Sequence, residues 1–282
     1  MKTFLIVLGI VLGVLLLSFI ALLLLMKTNG KRRRDMQKYK GVRFAHRGLH
    51  GEGRAENSMS AFRAAVERGY GIELDVRLSK DGELVVFHDD TLLRVCGVDA
   101  RVDSKTLAEL REYRLSGTEE TVPTFREVLE LVDGRVPLLV ELKEDAYRYG
   151  VTEKTVMMLR EYKGDFIVES FNPLALGRFR ELMPEAMRGI LSHNYFKDKK
   201  YRKMMYFILQ NLLLNFKAKP DFIAFCHTDY KNAAFRLVKF FFRPYTTAWT
   251  VKSREEESCA LTHGFDGVIF EGYIPEETGD AI

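Results

Sequence analysis

The chain has 282 residues, 47% hydrophobic and 29% charged, which excludes a disordered polymer and leaves ample mass for a buried core. Cys96, Cys226 and Cys259 lie far apart with no CxxC spacing; this argues against a disulfide framework or a structural zinc site and suits a reducing compartment. The net charge of +4 is uneven: residues 1–40 hold eight basic side chains against Asp35, residues 195–219 hold seven against Asp198, and the remainder is acidic, a poor surface for nucleic acid.

Residues 3–26 carry no charge and are mostly Leu, Ile and Val. As a helix, residues 4–26 would span about 34 Å, enough for a bilayer core of about 30 Å. The run exceeds a signal-peptide core and ends in LLLLMKTNGKRRR with no small-residue cleavage pattern, so residues 1–27 read as a transmembrane anchor. Lys27 and the basic run at 31–34 follow the span directly, whereas only Lys2 and the chain amine precede it, which predicts a single pass with the body on the cytoplasmic side. Residues 28–41 then form a basic juxtamembrane linker.

From 42 to 282 the sequence predicts one domain of alternating strands and helices. Strands are expected at 42–45, 72–77, 136–142, 166–169, 187–191, 222–225, 247–251 and 267–271, with an extra partner at 84–88 after the Asp81-Gly82 turn. Helices are expected at 58–68, 124–132 (opened by a Thr124…Glu127 capping box), 152–162, 173–182, 232–242 and 254–263. Eight strands alternating with helices in about 240 residues is the count of an α/β (βα)8 TIM barrel. A doubly wound sheet is the alternative, but no GxGxxG marks the first strand-helix junction. Only GYIPEETGDAI follows the eighth strand, so the last helix should be short or missing.

Chemistry in such a barrel collects at the carboxyl ends of the strands. The first strand ends in Ala45-His46-Arg47-Gly48, the second carries Glu73 and Asp75 on one face, the hairpin strand ends in His88-Asp89-Asp90, and the next carries Glu141 followed by Lys143. Glu73, Asp75 and Glu141 buried together demand a cation, and three carboxylates without a nearby Cys or His ligand describe a hard-oxygen site for Mg²⁺ or Ca²⁺. Arg47 and Lys143 suit a phosphate. His46 and His88 would flank it as an acid/base pair, one removing a proton from the nucleophile and the other giving one to the leaving oxygen. Trp249, on the seventh strand, reads equally as barrel core or as a wall of a glycerol or alcohol pocket. Asn57 reads as an N-cap at least as well as a site residue. His50, His193, His227 and His263 show no partner pattern.

HRG at 46–48, ENS at 56–58, ELD at 73–75, KDG at 80–82, VVFHD at 85–89 and ELK at 141–143 together resemble the glycerophosphodiester phosphodiesterases. The resemblance runs on through PTFREVL (123–129), ESFN (169–172), AWTV (248–251) and FDGVIF (265–270) and covers residues 42–275. It implies a TIM barrel that uses a divalent cation to hydrolyse glycerophosphodiesters to glycerol 3-phosphate and an alcohol, with the substrate's own glycerol hydroxyl attacking phosphorus and water opening the cyclic phosphate. It also implies that His46 and His88 are the acid/base pair, that Glu73, Asp75 and Glu141 are the metal ligands and that Arg47 and Lys143 contact the phosphate. The chain departs from the family where Phe270-Glu271-Gly272 stands in place of the usual Thr-Asp before a proline, and in the basic, aromatic stretch 195–219.

That stretch reads either as an ordinary barrel helix with a charged flank or as an interfacial segment with its aromatics in lipid; the presence of an anchor favours the second. Two rival functions accompany the diesterase: a lysophospholipase D-type cleavage of lysolipids on the same barrel, and a non-catalytic membrane-bound barrel. The presence of both histidines and all three carboxylates argues against the last.

Overall fold

Nine strands form, at Arg43–Ala45 (β1), Gly71–Leu78 (β2), Leu84–Val86 (β3), Leu138–Leu142 (β4), Phe166–Ser170 (β5), Arg188–Ser192 (β6), Phe222–Cys226 (β7), Tyr245–Val251 (β8) and Gly267–Phe270 (β9). The computed structural model describes residues 1–144 and 148–275. Eight of the strands are parallel neighbours in the order β1-β9-β8-β7-β6-β5-β4-β2, and β1 also pairs with β2, which closes the sheet into a barrel. The remaining strand, β3, is an antiparallel hairpin partner of β2 with Val76 opposite Val86. The TIM barrel expected from the alternation is therefore present. The tail 276–282, where the sequence predicts a short or missing last helix, lies outside the described residues.

The sheet is built by alternation. On β2, Ile72, Leu74 and Val76 face outward with Val140 and Phe125 in the layer between sheet and helices. Glu73 and Asp75, on the opposite face, point inward. The interior below them is filled by Phe44, Leu139, Ile167, Leu191, Phe222, Tyr245 and Ile269, side chains from alternate positions of seven strands. Gly189 makes room here: a Cβ on it would stand 2.1 Å from the Phe222 ring. Helices at Met59–Glu67, Phe125–Val132, Gly150–Glu161, Pro173–Leu182, Ala233–Phe242 and Arg254–Thr262 surround the barrel. The Thr124…Glu127 capping box forms with both of its hydrogen bonds. The segment 195–219 is broken into two 3-10 turns and short helices at Met204–Gln210 and Asn215–Ala218. Leu212 and Asn215 are buried in it, while Met204, Met205, Phe207 and Phe216 are exposed.

Residues Lys2–Met26 form one helix, long and apolar enough to cross a membrane, and its residues 2–18 are all exposed. Among the described residues it meets the body through its last two turns. Phe19 packs edge-on against Phe241 at 5.8 Å, and the Met26 carbonyl accepts from the Asn215 side chain at 3.0 Å. The chain then runs beneath the amino ends of the strands. The Asn29 amide donates to the Pro220 carbonyl (2.8 Å) and its side chain to Asp221 (2.7 Å). The Arg32 guanidinium donates to the Pro184 and Ala186 carbonyls, and Lys38 pairs with Asp165. Met36 and Tyr39 are buried and join the interior cluster from below, and the Tyr245 hydroxyl donates to the Tyr39 carbonyl at 2.6 Å.

Candidate active site

The parallel register gathers the carboxylates. Asp75 on β2 lies level with Glu141 on β4, and Glu141 lies level with Glu169 on β5, so three inward acids form one row across adjacent strands near their carboxyl ends. Glu73 lies one inward position below. The carboxylate oxygens of Glu73, Asp75 and Glu141 fall within 4.8 Å of one another, and all three residues are buried.

Two cations enter the row from the loops. Lys143 Nζ lies 2.7 Å from Glu141 and 3.0 Å from Asp75. Arg47 donates its backbone amide to Glu73 (2.9 Å) and holds its guanidinium 3.7 Å from Asp75. Asn57 donates to Asp75 at 2.8 Å, while the capping of helix Met59–Glu67 falls to Ser58, which accepts from the Ala61 amide. Asn57 is therefore part of the site rather than the helix cap. The loop that carries Arg47 turns through Gly48 at φ +78°, where a Cβ would press on Ala61 and Phe62 at 3.0 Å.

The electrostatics follow from this crowding. Burial, then repulsion by Asp75 and Glu141, pushes the Glu73 carboxyl well above its usual range, and burial raises Glu141 to about 7. Burial also raises Asp75, but Lys143, His88 and Arg47 outweigh it and hold this carboxyl below its usual range. Glu169 is raised strongly by burial and by Glu73 and Glu141, and one of its oxygens is buried without a hydrogen-bond partner. Four buried acids thus face two permanent cations. The donor set is all oxygen, crowded and under-neutralised, which fits a hard divalent cation.

Both predicted imidazoles stand at the mouth, each with a carboxylate on Nδ1. His46, directly after β1, has Nδ1 2.6 Å from Glu271 and Nε2 3.9 Å from Glu73. His88, two residues beyond β3, has Nδ1 2.6 Å from Asp89, and its carbonyl accepts from Arg77. Burial lowers the pKa of both. Asp89 in turn accepts from Arg94 Nε (2.6 Å), whose other nitrogens donate to Glu56 (2.6 and 2.8 Å). Glu56 also accepts from Arg47 at 2.8 Å, so a continuous chain of ion pairs links the two ends of the site. Trp249 sits on the rim of β8 with Phe171 and His193 at ring distances of 5.4 and 5.7 Å.

The sequence leaves Glu56 open between the site and a helix-dipole role, and sequence reasoning missed the parts played by Glu271, Asp89 and Arg94. In the sequence Glu271 stands out only as a departure from the family pattern. The signal for it lay in closure of the barrel: β1 pairs with β9, Ala45 opposite Phe270, so residues 46 and 271 must be neighbours.

The model of the glycerophosphoryl diester phosphodiesterase family matches residues 46–272. A glycerophosphodiester phosphodiesterase of Bacillus altitudinis is 34% identical over 80% of this chain and 92% of its own length. One from Caldanaerobacter subterraneus subsp. tengcongensis is 31% identical over 80% and 91%. Among solved structures, an Oleispira antarctica phosphodiesterase in complex with its product sn-glycerol-3-phosphate superposes with a TM-score of 0.66 at 25% identity, covering 82% of this chain and 93% of that one. With the matched span taking in both histidines, the carboxylate row and the rim glutamate, the chain belongs to the glycerophosphoryl diester phosphodiesterase family.

Proposed function

We propose that this glycerophosphodiester phosphodiesterase cleaves its substrate by paired histidine acid/base catalysis beside a divalent cation, at a membrane surface. The observation that carries the reading is the symmetry of the imidazoles. Each has its Nδ1 proton engaged by a carboxylate at 2.6 Å, which fixes the tautomer and leaves Nε2 to exchange protons with substrate. One imidazole takes the proton of the attacking hydroxyl and the other returns a proton to the departing alcohol. Arg47 and Lys143 orient the diester phosphate, and Trp249 with Phe171 offers an apolar wall to glycerol or alcohol. Glu73, Asp75 and Glu141 would hold Mg²⁺ or Ca²⁺, which when bound neutralises charge on the phosphate oxygens.

A lysolipid substrate is the second reading, favoured by the exposed Met204, Met205 and Phe207 of a segment that begins on the rim at Tyr195. A panel of glycerophospho-choline, -ethanolamine, -glycerol and -inositol with one lysolipid separates the two. The main reading expects glycerol 3-phosphate from the diesters, loss of activity in EDTA and recovery with Mg²⁺ or Ca²⁺. Lysophosphatidate as the dominant product would establish the second, and full activity in chelator would overturn the metal assignment.

The organisation we propose is a single-pass anchor at 1–27, a basic juxtamembrane stretch at 28–41 and a cytoplasmic barrel at 42–282, with 195–219 resting at the lipid interface. The exposed Cys259 offers a check: an impermeant maleimide should label it only after cells are lysed. Labelling of intact cells would reverse the topology.

A further inference from the structure

Beside the carboxylate row lies a second cluster of different chemistry. His46, His50 and Glu271 each offer a ligand atom within 4.8 Å of the others, and none of the three is fully buried. They stand where the loop after β1 meets the end of β9, next to a cleft of about 310 Å³ lined by Gly48, Leu49, His50, Glu271 and Tyr273. His50 has an Nε2 that is buried and without a hydrogen-bond partner. It is not needed by the proposed reaction. Two imidazoles and one carboxylate differ in kind from the all-oxygen row: nitrogen donors select borderline metals such as Zn²⁺ or Co²⁺ over Mg²⁺ and Ca²⁺.

We infer that His46, His50 and Glu271 form an inhibitory site for borderline divalent metals, distinct from the hard-cation site a few ångströms away. It rests on the reading of His46 as a proton-transfer group. The capture is consistent in protons. The metal takes the lone pair of His46 Nδ1, and the single proton of the neutral imidazole, held on Nδ1 by Glu271 until then, moves to Nε2 by exchange through solvent. Nε2 faces Glu73, and once protonated it can donate weakly but no longer accept. An imidazole held in this tautomer cannot alternate between acid and base. The inhibition is therefore not relieved by more Mg²⁺, because the two metals do not share ligands.

The test uses the full chain in detergent with saturating Mg²⁺ and buffered Zn²⁺. Wild type should lose diester hydrolysis as Zn²⁺ rises, with no relief when Mg²⁺ is raised tenfold. His50→Gln should keep its uninhibited turnover and require at least the roughly 10- to 100-fold more Zn²⁺ that loss of even an outer-shell partner costs a metal site. Co²⁺ gives an independent readout: wild type should develop a visible absorption band that His50→Gln lacks and Asp75→Asn retains. Equal Zn²⁺ sensitivity of wild type and His50→Gln, or relief by Mg²⁺, would overturn the proposal, as would a Co²⁺ band that does not depend on His50. A His50-dependent band without any effect on hydrolysis would overturn the inhibitory role and locate the error in the assignment of His46 rather than in the site.

Discussion

Replacing Glu271 by Gln tests the catalytic reading at its most specific point. The Glu271 carboxylate sits 2.6 Å from His46 Nδ1, and this hydrogen bond is the main reason its pKa is held at about 2. A hydrogen bond to a charged group is worth about 1.5–3 kcal/mol. The Glu271 side chain is 24% exposed, so solvent screens part of this and the lower half of the range applies. At about 1.36 kcal/mol per tenfold, kcat should fall roughly 10- to 45-fold. KM should hold, because Glu271 is assigned no contact with the diester. Burial already depresses the His46 imidazole and Glu271 opposes it, so removing the carboxylate lowers the His46 pKa further. The limb of the pH–rate profile governed by His46 should therefore move to lower pH, and Glu271→Asp should restore much of it. The assay is glycerol 3-phosphate release from a soluble diester across pH. A Gln variant within twofold of wild type with an unmoved limb would refute the claim that Glu271 tunes a catalytic imidazole.

Three further outcomes are expected. His46→Ala and His88→Ala should each lose about 10²- to 10⁴-fold in kcat, with the double variant little worse than either single one because the two act in one proton circuit; additive losses would separate their roles. Arg94→Lys should cost about fivefold in kcat/KM, the effect of ~1 kcal/mol at a half-exposed ion pair, since an ammonium cannot bridge Asp89 and Glu56 in the plane that the guanidinium spans; unchanged kinetics would show the network to be ornamental. Met36→Ala should destabilise the folded chain by about 2–5 kcal/mol, seen as a lower temperature of thermal inactivation in detergent. A shift too small to measure would mean the barrel floor does not depend on this stretch.

The parts of the molecule that were legible are those written in local periodicity. The strand alternation put Glu73 and Asp75 on one face, and the end of each strand named a candidate side chain, so the row of acids and both histidines could be located from the sequence. What escaped depends on partners far apart in the chain. Glu271 finds His46 only because β9 closes onto β1, and Arg94 finds Glu56 across 38 positions. Asn57 and Ser58 are adjacent and both are good caps; the choice was made by a buried Asp75 carboxylate, a tertiary demand invisible to local rules. The segment 195–219 was legible as unusual, but its break into short helices turns on Leu212 at φ +57°, a conformation its side chain does not advertise.

The strap from Asn29 to Tyr39 changes how the enzyme can search for substrate. As free coil, the 14 residues from Lys27 to Lys40 would give an r.m.s. reach of about 20 Å, and the mouth would sweep a broad shell above its attachment point. Pinned at Pro220, Pro184, Ala186 and Asp165, with Met36 and Tyr39 locked under the floor, the stretch has no such slack. Barrel and helix then move as one body. With the helix in a bilayer, as proposed above, encounters with a soluble diester are set by that solute's own diffusion, and the local concentration of anything embedded in the same bilayer is set by geometry rather than by tether length. Cutting the strap's contacts, without touching the mouth, should alter only the second of these.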